Sequence, residues 1–274
     1  MKKIDISYAS KSEHNIAQRM LIKTIEQLTG KRKLQKIYSA YSEKNDDPKF
    51  FWTGILKAMQ INIVDKSVSG IKIPEKGSLL MIANHPFGII DGIVMCSLAS
   101  EVRSDFKILT HETLKFAPEL DKYILPIDFN EKDKSKVRNN IKTSNKAKDH
   151  LIKGGLLIIF PSGSVSIAKD LKSGAKDDQW KKFTAKLIKQ TKTDVLPVYF
   201  DGKNGFLYHI FASKLKNQTL KYSSYLHETK KMIGKDIEIY PGEIMKYDFL
   251  KHIDGRDELT NYLKSKTYEL GKNK

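Results

Sequence analysis

Cysteine, tryptophan and proline are scarce in this sequence, which has one, two and eight of them among 274 residues. The single thiol, Cys96, cannot form an internal disulfide, so a disulfide-stapled scaffold is excluded. No apolar run approaches the roughly 18 residues that a membrane-spanning helix requires. Residues 1–14 also lack the apolar stretch of a secretory signal. We therefore expect a cytoplasmic location.

Acidic residues are the minority, with 32 against 49 basic ones and a net charge of +17. Arginine is rare as well, so lysine supplies most of the excess; arginine stands only at positions 19, 32, 103, 138 and 256. Such a charge fits a solvated surface, a nucleic-acid patch, or attraction to an anionic bilayer or an acidic carrier protein. No nucleic-acid-binding motif accompanies it, so we favour an anionic membrane surface and expect no nucleic acid as partner.

From residue 70 onward, short apolar segments alternate with amphipathic ones. The pattern predicts strands at 78–83, 105–110, 123–129, 156–160, 195–200 and 236–240, and helices at 92–102, 136–153, 179–191 and 256–270. Continuous apolar strands between helices are typical of a parallel sheet that is covered on both faces. The sequence therefore predicts an α/β fold, a mostly parallel sheet flanked by helices.

The first 68 residues have a different, helical pattern. Apolar residues recur at helical spacing over 14–28, and a second apolar helix is predicted over 50–63, after Pro48. Such a pair could pack on the following domain or lie in a membrane interface. We expect an N-terminal helical extension, residues 1–68, followed by the α/β domain, residues 69–274.

Two loops that directly follow predicted strands carry candidate chemistry, since sites in such sheets form at the carboxyl ends of strands. In the first loop, His85 and Asp91 could form a general base and the carboxylate that orients it. The spacing is equally compatible with Asn84 and Asp91 capping the next helix and with His85 as an exposed loop residue. Both interpretations stay open on spacing alone.

The second loop, FPSGSVS at 160–166, could present backbone N–H groups to an oxyanion. Taken alone, it fits an ordinary turn better, with Ser164 or Ser166 capping a helix. The G-x-S-x-G elbow of a nucleophilic serine is absent from it. Phosphate-binding glycine motifs and metal-ligand spacings are absent from the sequence too, so we predict no cofactor and no metal site.

The two loops, in this order and separation, resemble the motifs of the PlsC-like glycerolipid and lysophospholipid acyltransferase superfamily. The similar segments are NHPFGIIDG at 84–92, FPSGSVS at 160–166 and VLPVYF at 195–200. The form NHPFGxxDG, with DGKNGF at 201–206, is most similar to the hemolysin-like or ornithine-lipid-type branch. The resemblance covers about residues 70–270.

The resemblance implies that a fatty acyl group passes from an acyl thioester, acyl-ACP or acyl-CoA, to a hydroxyl of a lysolipid at the inner face of the cytoplasmic membrane. His85 would remove the acceptor's proton and Asp91 would hold the imidazole. Substrate-binding residues would come from the same two loops, namely Asn84, Phe87, Gly88, Phe160, Pro161, Ser162, Gly163 and Ser164.

The sequence departs from the usual family pattern at several positions. Five residues instead of four separate His85 from Asp91, a spacing that the resembling branch shares. Ser162 and Val165 stand where relatives have Glu and Arg, and Phe129 stands where an Arg is common. Those residues serve glycerophosphate acceptors in relatives, so their replacement argues against such an acceptor. It also keeps open a catalytically inactive protein that binds lipid or acyl chains on the same scaffold.

Overall fold

The computed structural model describes residues 15–42, 50–68, 70–111, 120–127, 134–168, 174–210, 212 and 218–272. The predicted start of the first helix at residue 14, Pro48 and the predicted strand end at 128–129 lie outside these ranges.

The described residues form three helices first, and from β2 onward strands and helices largely alternate, as the sequence predicts from residue 70. The helices are α1 (Ile16–Thr29), α2 (Lys31–Ser42), α3 (Phe51–Ala58), α4 (Ile89–Val102), α5 (Lys134–Ile152), α6 (Phe183–Thr191), α7 (Phe206–His209), α8 (Gln218–Lys231), α9 (Tyr247–Leu250) and α10 (Arg256–Leu270). The strands are β1 (Asn62–Asp65), β2 (Leu79–Ala83), β3 (Lys107–His111), β4 (Ile124–Ile127), β5 (Leu156–Ile159), β6 (Asp194–Phe200) and β7 (Asp236–Pro241).

The strands form one seven-stranded sheet in the order β1-β7-β6-β2-β5-β3-β4. Every pair is parallel except β6 with β7, which confirms the mostly parallel sheet. Strand β2 lies in the middle, where Ile82 pairs with Ile159 of β5 and Ala83 pairs with Val198 of β6. The carboxyl ends of β2, β5 and β6 therefore meet at one edge, and the loops that follow them lie side by side.

Both faces of this sheet are buried, each under its own layer of helices. All five side chains of β2 are buried, and they alternate between the two faces. Leu79, Met81 and Ala83 belong to the cluster that includes α3 and α4, whereas Leu80 and Ile82 belong to the cluster of α5, α6 and α10. A strand that is covered on both faces has no solvent-exposed side and carries apolar residues on both faces, which explains the run LLMIA.

The predicted second helix is wrong in its C-terminal part. Helix α3 ends at Ala58, and Gln60 adopts a left-handed conformation with φ of 54°. The chain then turns into β1, which pairs with β7 from Asn62 to Asp65. We predicted Ile61 and Ile63 to be helical, but Ile61 lies just before β1 and Ile63 lies within it. The pairing of β1 with β7 thus outweighs the helical spacing of the apolar residues.

Helices α7 and α8 lie within residues 201–235, where we predicted no helix from the sequence. Helix α6 also begins at Phe183, four residues later than predicted. Its delayed start has a local cause: the backbone N–H of Lys181 donates to the carbonyl of Pro161, at 2.8 Å, in the preceding loop. The residues just before Phe183 therefore contact that loop and do not form part of the helix.

Part of the predicted extension, residues 1–68, packs directly on the sheet domain. Trp52 of α3 is buried and makes edge contacts with the rings of Phe106 and Tyr123, at centroid distances of 6.2 and 6.1 Å. The hydroxyls of Thr53 and Ser97 join α3 to α4 at 3.0 Å. The division of the chain between residues 68 and 69 stays a prediction. In the described ranges, no helix has both the length and the apolar character needed to cross a bilayer.

Candidate active site

The first candidate loop joins the end of β2 to the start of α4. Gly88 precedes α4 with φ of 77°, a conformation that favours glycine. A Cβ at this position would lie 3.1 Å from a methyl carbon of Val165, so the second loop also presses against it. The tight turn at Gly88 brings Asp91, in the first turn of α4, back toward His85.

His85 and Asp91 form a hydrogen-bonded pair, with 3.0 Å between Nδ1 of the imidazole and Oδ2 of the carboxylate. The same oxygen accepts the backbone N–H groups of Phe87 and Gly88, each at 2.9 Å. Asp91 therefore caps α4 and orients His85 at the same time. For Asp91, helix capping and pairing with His85, which the spacing left open as alternatives, occur together. Its side chain is fully buried, whereas that of His85 is 17% exposed.

Burial raises the pKa of Asp91, and the hydrogen bonds from His85, Phe87 and Gly88 act in the opposite direction. Burial prevails because the second oxygen, Oδ1, is buried without a hydrogen-bond partner among the described residues. The carboxylate is thus desolvated at Oδ1, while Oδ2 is held by three donors.

The imidazole of His85 is fixed on a second side by Phe160, at the end of β5. The two rings stack with a centroid distance of 4.0 Å and an angle of 22°. Because a carboxylate oxygen only accepts, Nδ1 carries the proton in the pair with Asp91, which leaves Nε2 as the basic nitrogen. Within the described part of the chain, no group hydrogen-bonds to Nε2.

Asn84 connects this loop to β6 and does not cap α4. Its side chain is buried, its amide nitrogen donates to the carbonyl of Phe200 at 2.9 Å, and its oxygen accepts the N–H of Phe200 at 2.7 Å. Phe87 is buried as well, and its ring lies against Gly202, where a Cβ would approach to 2.4 Å. These two residues hold the first loop against the segment that follows β6.

The second candidate loop has hydrogen bonds of its own in addition to those that it makes with other segments. The Ser162 hydroxyl donates to the carbonyl of Ser164 at 2.7 Å, and the N–H of Gly163 donates to the carbonyl of Phe160 at 3.0 Å. Pro161 is buried, and Gly163 has φ of 68°. Of the predicted substrate-binding residues in this loop, Phe160 contacts the His85 ring, while the proton of Ser162 is committed inside the loop.

Sequence reasoning missed two residues near the pair, Asp177 and Trp180. The carboxylate of Asp177 accepts hydrogen bonds from the backbone N–H of His85, from Ser166 and from the indole of Trp180. The sequence contains one local sign of burial here, because Trp180 is a large apolar residue inside a lysine-rich segment, and it is 2% exposed in the structure. It contains no local signal that places Asp177 beside His85, since that contact spans 92 residues of the chain.

The residues that the structure describes include no group of three or more His, Cys, Asp or Glu side chains that could hold a metal ion. Phe129, at the position where the usual PlsC-like motif has Arg, lies outside those residues.

A family model described as Acyltransferase matches residues 13–274. This chain belongs to the acyltransferase family. The match takes in both loops and nearly all of the predicted extension, and it confirms the resemblance that the motifs indicated. In this chain, the His85–Asp91 pair lies in the loop after β2, at the carboxyl edge of the sheet.

Relatives of this acyltransferase-family chain are found among curated bacterial proteins. The lyso-glycine lipid O-acyltransferase of Bacteroides thetaiotaomicron is 29% identical over 166 residues, covering 57% of this chain and 55% of the relative. The lyso-glycine lipid O-acyltransferase of Phocaeicola vulgatus is 26% identical over 160 residues, covering 55% of this chain and 52% of the relative. The chain therefore spans about half the length of the curated relatives it matches.

The fold is similar to that of a solved acyltransferase. The crystal structure of the 1-acyl-sn-glycerophosphate (LPA) acyltransferase PlsC from Thermotoga maritima superimposes with a TM-score of 0.53. The likeness covers 93% of this chain and 87% of PlsC at 14% sequence identity. It confirms the predicted fold class, a PlsC-like α/β sheet with flanking helices.

Proposed function

We propose that this member of the acyltransferase family transfers a fatty acyl group from an acyl thioester to a hydroxyl of a lysolipid. The observation that carries the proposal is the contact of 3.0 Å between Nδ1 of His85 and Oδ2 of Asp91 at the carboxyl edge of the sheet. Membership of the family and the O-acyltransferase names of two relatives support the reaction type.

In the proposed reaction, Nε2 of His85 takes the proton from the acceptor hydroxyl while the oxygen of that hydroxyl attacks the thioester carbonyl carbon. The new C–O bond forms as the carbonyl electron pair moves onto oxygen, giving a tetrahedral oxyanion. When this intermediate collapses, the C–S bond breaks and the thiolate leaves with the proton from the imidazolium. Asp91 stabilises the imidazolium and holds its orientation throughout, as the carboxylate does in hydrolase triads.

The acceptor that we propose is a lysolipid without a glycerophosphate headgroup. Val165 is buried and lies against Gly88, so an apolar side chain occupies the position where the usual PlsC-like motif has Arg. Ser162 likewise replaces Glu, and its hydroxyl is bonded within the loop. Both relatives are named for a lyso-glycine lipid, which makes an amino-acid lysolipid the first acceptor to test.

The donor and the location are proposed from charge and exposure. Acyl-ACP and acyl-CoA are both anionic, and α5 and α6 expose Arg138, Lys142 and Lys186. Helix α1 exposes apolar side chains beside basic ones, with Ile16, Met20 and Leu21 between 46 and 78% exposed. We therefore propose that the protein works as a peripheral enzyme on an anionic membrane surface, at the inner face of the cytoplasmic membrane.

The test is acyl transfer by purified wild type, His85→Ala and Asp91→Asn, with acyl-ACP or acyl-CoA as donor. Lyso-glycine lipid and lysophosphatidic acid serve as acceptors, and thiol release and lipid products are measured. We expect rates to fall by about 10³-fold or more in His85→Ala and by at least about 10²-fold in Asp91→Asn.

The control is His252→Ala, because His252 is an exposed histidine in the turn before α10. It should keep the wild-type rate. A folded His85→Ala protein that transfers acyl groups at the wild-type rate would contradict the mechanism. Wild-type protein that binds liposomes but consumes no thioester with any acceptor would favour a catalytically inactive lipid-binding protein.

A further inference from the structure

Asp177 is a buried carboxylate that lies beside the candidate active site but takes no part in the proposed proton transfer. It belongs to the segment between β5 and α6, and it is 6% exposed. Its three side-chain partners are all donors: the backbone N–H of His85 at 3.2 Å, the Ser166 hydroxyl, and the indole N–H of Trp180 at 2.8 Å. A buried carboxylate is costly unless it is paired, so this arrangement needs a reason.

The contacts of Asp177 close a ring of hydrogen bonds around the backbone of His85. Oδ1 of Asp177 accepts from both His85 and Ser166. The backbone N–H of Ser166 in turn donates to the carbonyl of His85 at 2.8 Å. The backbone N–H of His85 is therefore bonded to Asp177 and its carbonyl to Ser166 of the second loop, so both polar groups of this backbone are fixed.

Helix α10 holds Asp177 in place through its main chain. The N–H of Asp177 donates to the hydroxyl of Tyr268 at 2.7 Å, and Nζ of Lys264 donates to its carbonyl at 3.0 Å. The side chain is thus anchored by α10 and by Trp180, which is 2% exposed. A carboxylate with a fixed main chain can set the position of a neighbouring loop accurately.

We propose that Asp177 is a positioning residue for His85, an inference that rests on the proposed acyl transfer. By bonding the backbone of His85 to Ser166, it keeps the imidazole between Asp91 and Phe160 with Nε2 ready for the acceptor. An asparagine side chain could not replace the Asp177 carboxylate. Its amide nitrogen is a donor and would face one of the donors that contact Asp177.

Asp177→Asn tests the proposal, with Asp149→Asn as a control that makes the same chemical change at an exposed position of α5. Thermal unfolding establishes that each variant is folded. We expect kcat for acyl transfer to fall by about 10- to 100-fold in Asp177→Asn, with KM for the acyl donor unchanged. Asp149→Asn should match wild type in both constants.

A second measurement does not depend on activity. Hydrogen exchange of the His85 backbone amide should become faster by at least about tenfold in Asp177→Asn and stay unchanged in Asp149→Asn. If the wild-type protein transfers no acyl group, the proposed function fails, while the exchange rate still tests the ring of hydrogen bonds.

A folded Asp177→Asn protein with the kcat of the control, or with unchanged exchange at His85, overturns the proposal. If Asp177→Asn does not fold, Ser166→Ala decides, because it removes one hydrogen bond from the ring. Lower kcat, unchanged KM and faster exchange at His85 in Ser166→Ala support the proposal, and values equal to wild type overturn it.

Discussion

Asp91 is the residue whose ionisation the fold controls most directly. Three donors converge on one of its oxygens, yet burial is the larger effect and raises its pKa above the ordinary value of 3.8. Burial likewise raises the pKa of Asp177 on the other side of His85. A carboxyl whose pKa is higher in the folded than in the unfolded protein stabilises the fold in its protonated form. The ionised carboxylates of Asp91 and Asp177 therefore lower the stability of the fold, while their hydrogen bonds fix the geometry of the site.

A pH dependence of stability follows for Asp91. The stability that the protonated carboxyl provides is fully present below pH 3.8 and is lost as the pH rises through the higher pKa of the folded protein. In Asp91→Asn this loss is absent, so the free energy of unfolding should decline less with rising pH than in wild type. Urea unfolding at a series of pH values measures this difference.

Asp149→Asn is the control for that series, because Asp149 is exposed. The free energy of unfolding of Asp149→Asn should change with pH as steeply as that of wild type. Equal slopes for wild type and Asp91→Asn would contradict the raised pKa of Asp91.

At the scale of elements, α3 shows how part of the N-terminal segment is joined to the sheet domain. Phe51, Trp52, Ile55 and Leu56 are buried on one side of this short helix. Trp52 contacts Phe51 as well as Phe106 and Tyr123, all in edge geometry. An eight-residue helix is too short to be stable alone, so this aromatic contact holds it.

Trp52→Ala should lower the free energy of unfolding by about 3 to 5 kcal/mol, because it leaves a large cavity under α3. Trp52→Phe should cost less, since the indole N–H has no hydrogen-bond partner among the described residues. Phe50→Ala is the matched control at the start of the same helix, where the side chain is 58% exposed. Equal losses in Trp52→Ala and Phe50→Ala, measured by denaturant unfolding, would contradict this packing.

At the scale of the whole molecule, the site depends on loops that come from distant parts of the chain. Asn84 bonds to Phe200, 116 residues away, and His85 bonds to Asp177, 92 residues away. Parallel pairing of β2 with both β5 and β6 is what brings these loops to one edge. The candidate site is therefore a product of the sheet order.

Asn84→Ala should destabilise the protein by about 3 kcal/mol, because it leaves the buried N–H and carbonyl of Phe200 without partners. It should also reduce acyl transfer, since the first loop loses its connection to β6. Asn62→Ala is the control: Asn62 is exposed and bonds to Asp236 at 2.9 Å on the edge pair β1–β7. Chemical denaturation that shows equal stability for the two variants would contradict the role of Asn84.

The sequence by itself determined the local features of this protein. The apolar run from Leu79 to Ala83 predicts a strand because its period and burial are properties of adjacent residues. His85 and Asp91 could be proposed as a pair because one short loop contains both of them. The family motifs could be found for the same reason, since each is a short continuous segment.

Only the tertiary structure decided which distant residues meet. The antiparallel direction of β7, the pairing of β1 with it, and the position of Asp177 behind His85 depend on packing between segments far apart in the chain. A single sequence carries no local signal for such contacts, because the free energy that selects them comes from the whole core. For the same physical reason, the pair of His85 and Asp91 was visible in the sequence while its support by Asp177 was not.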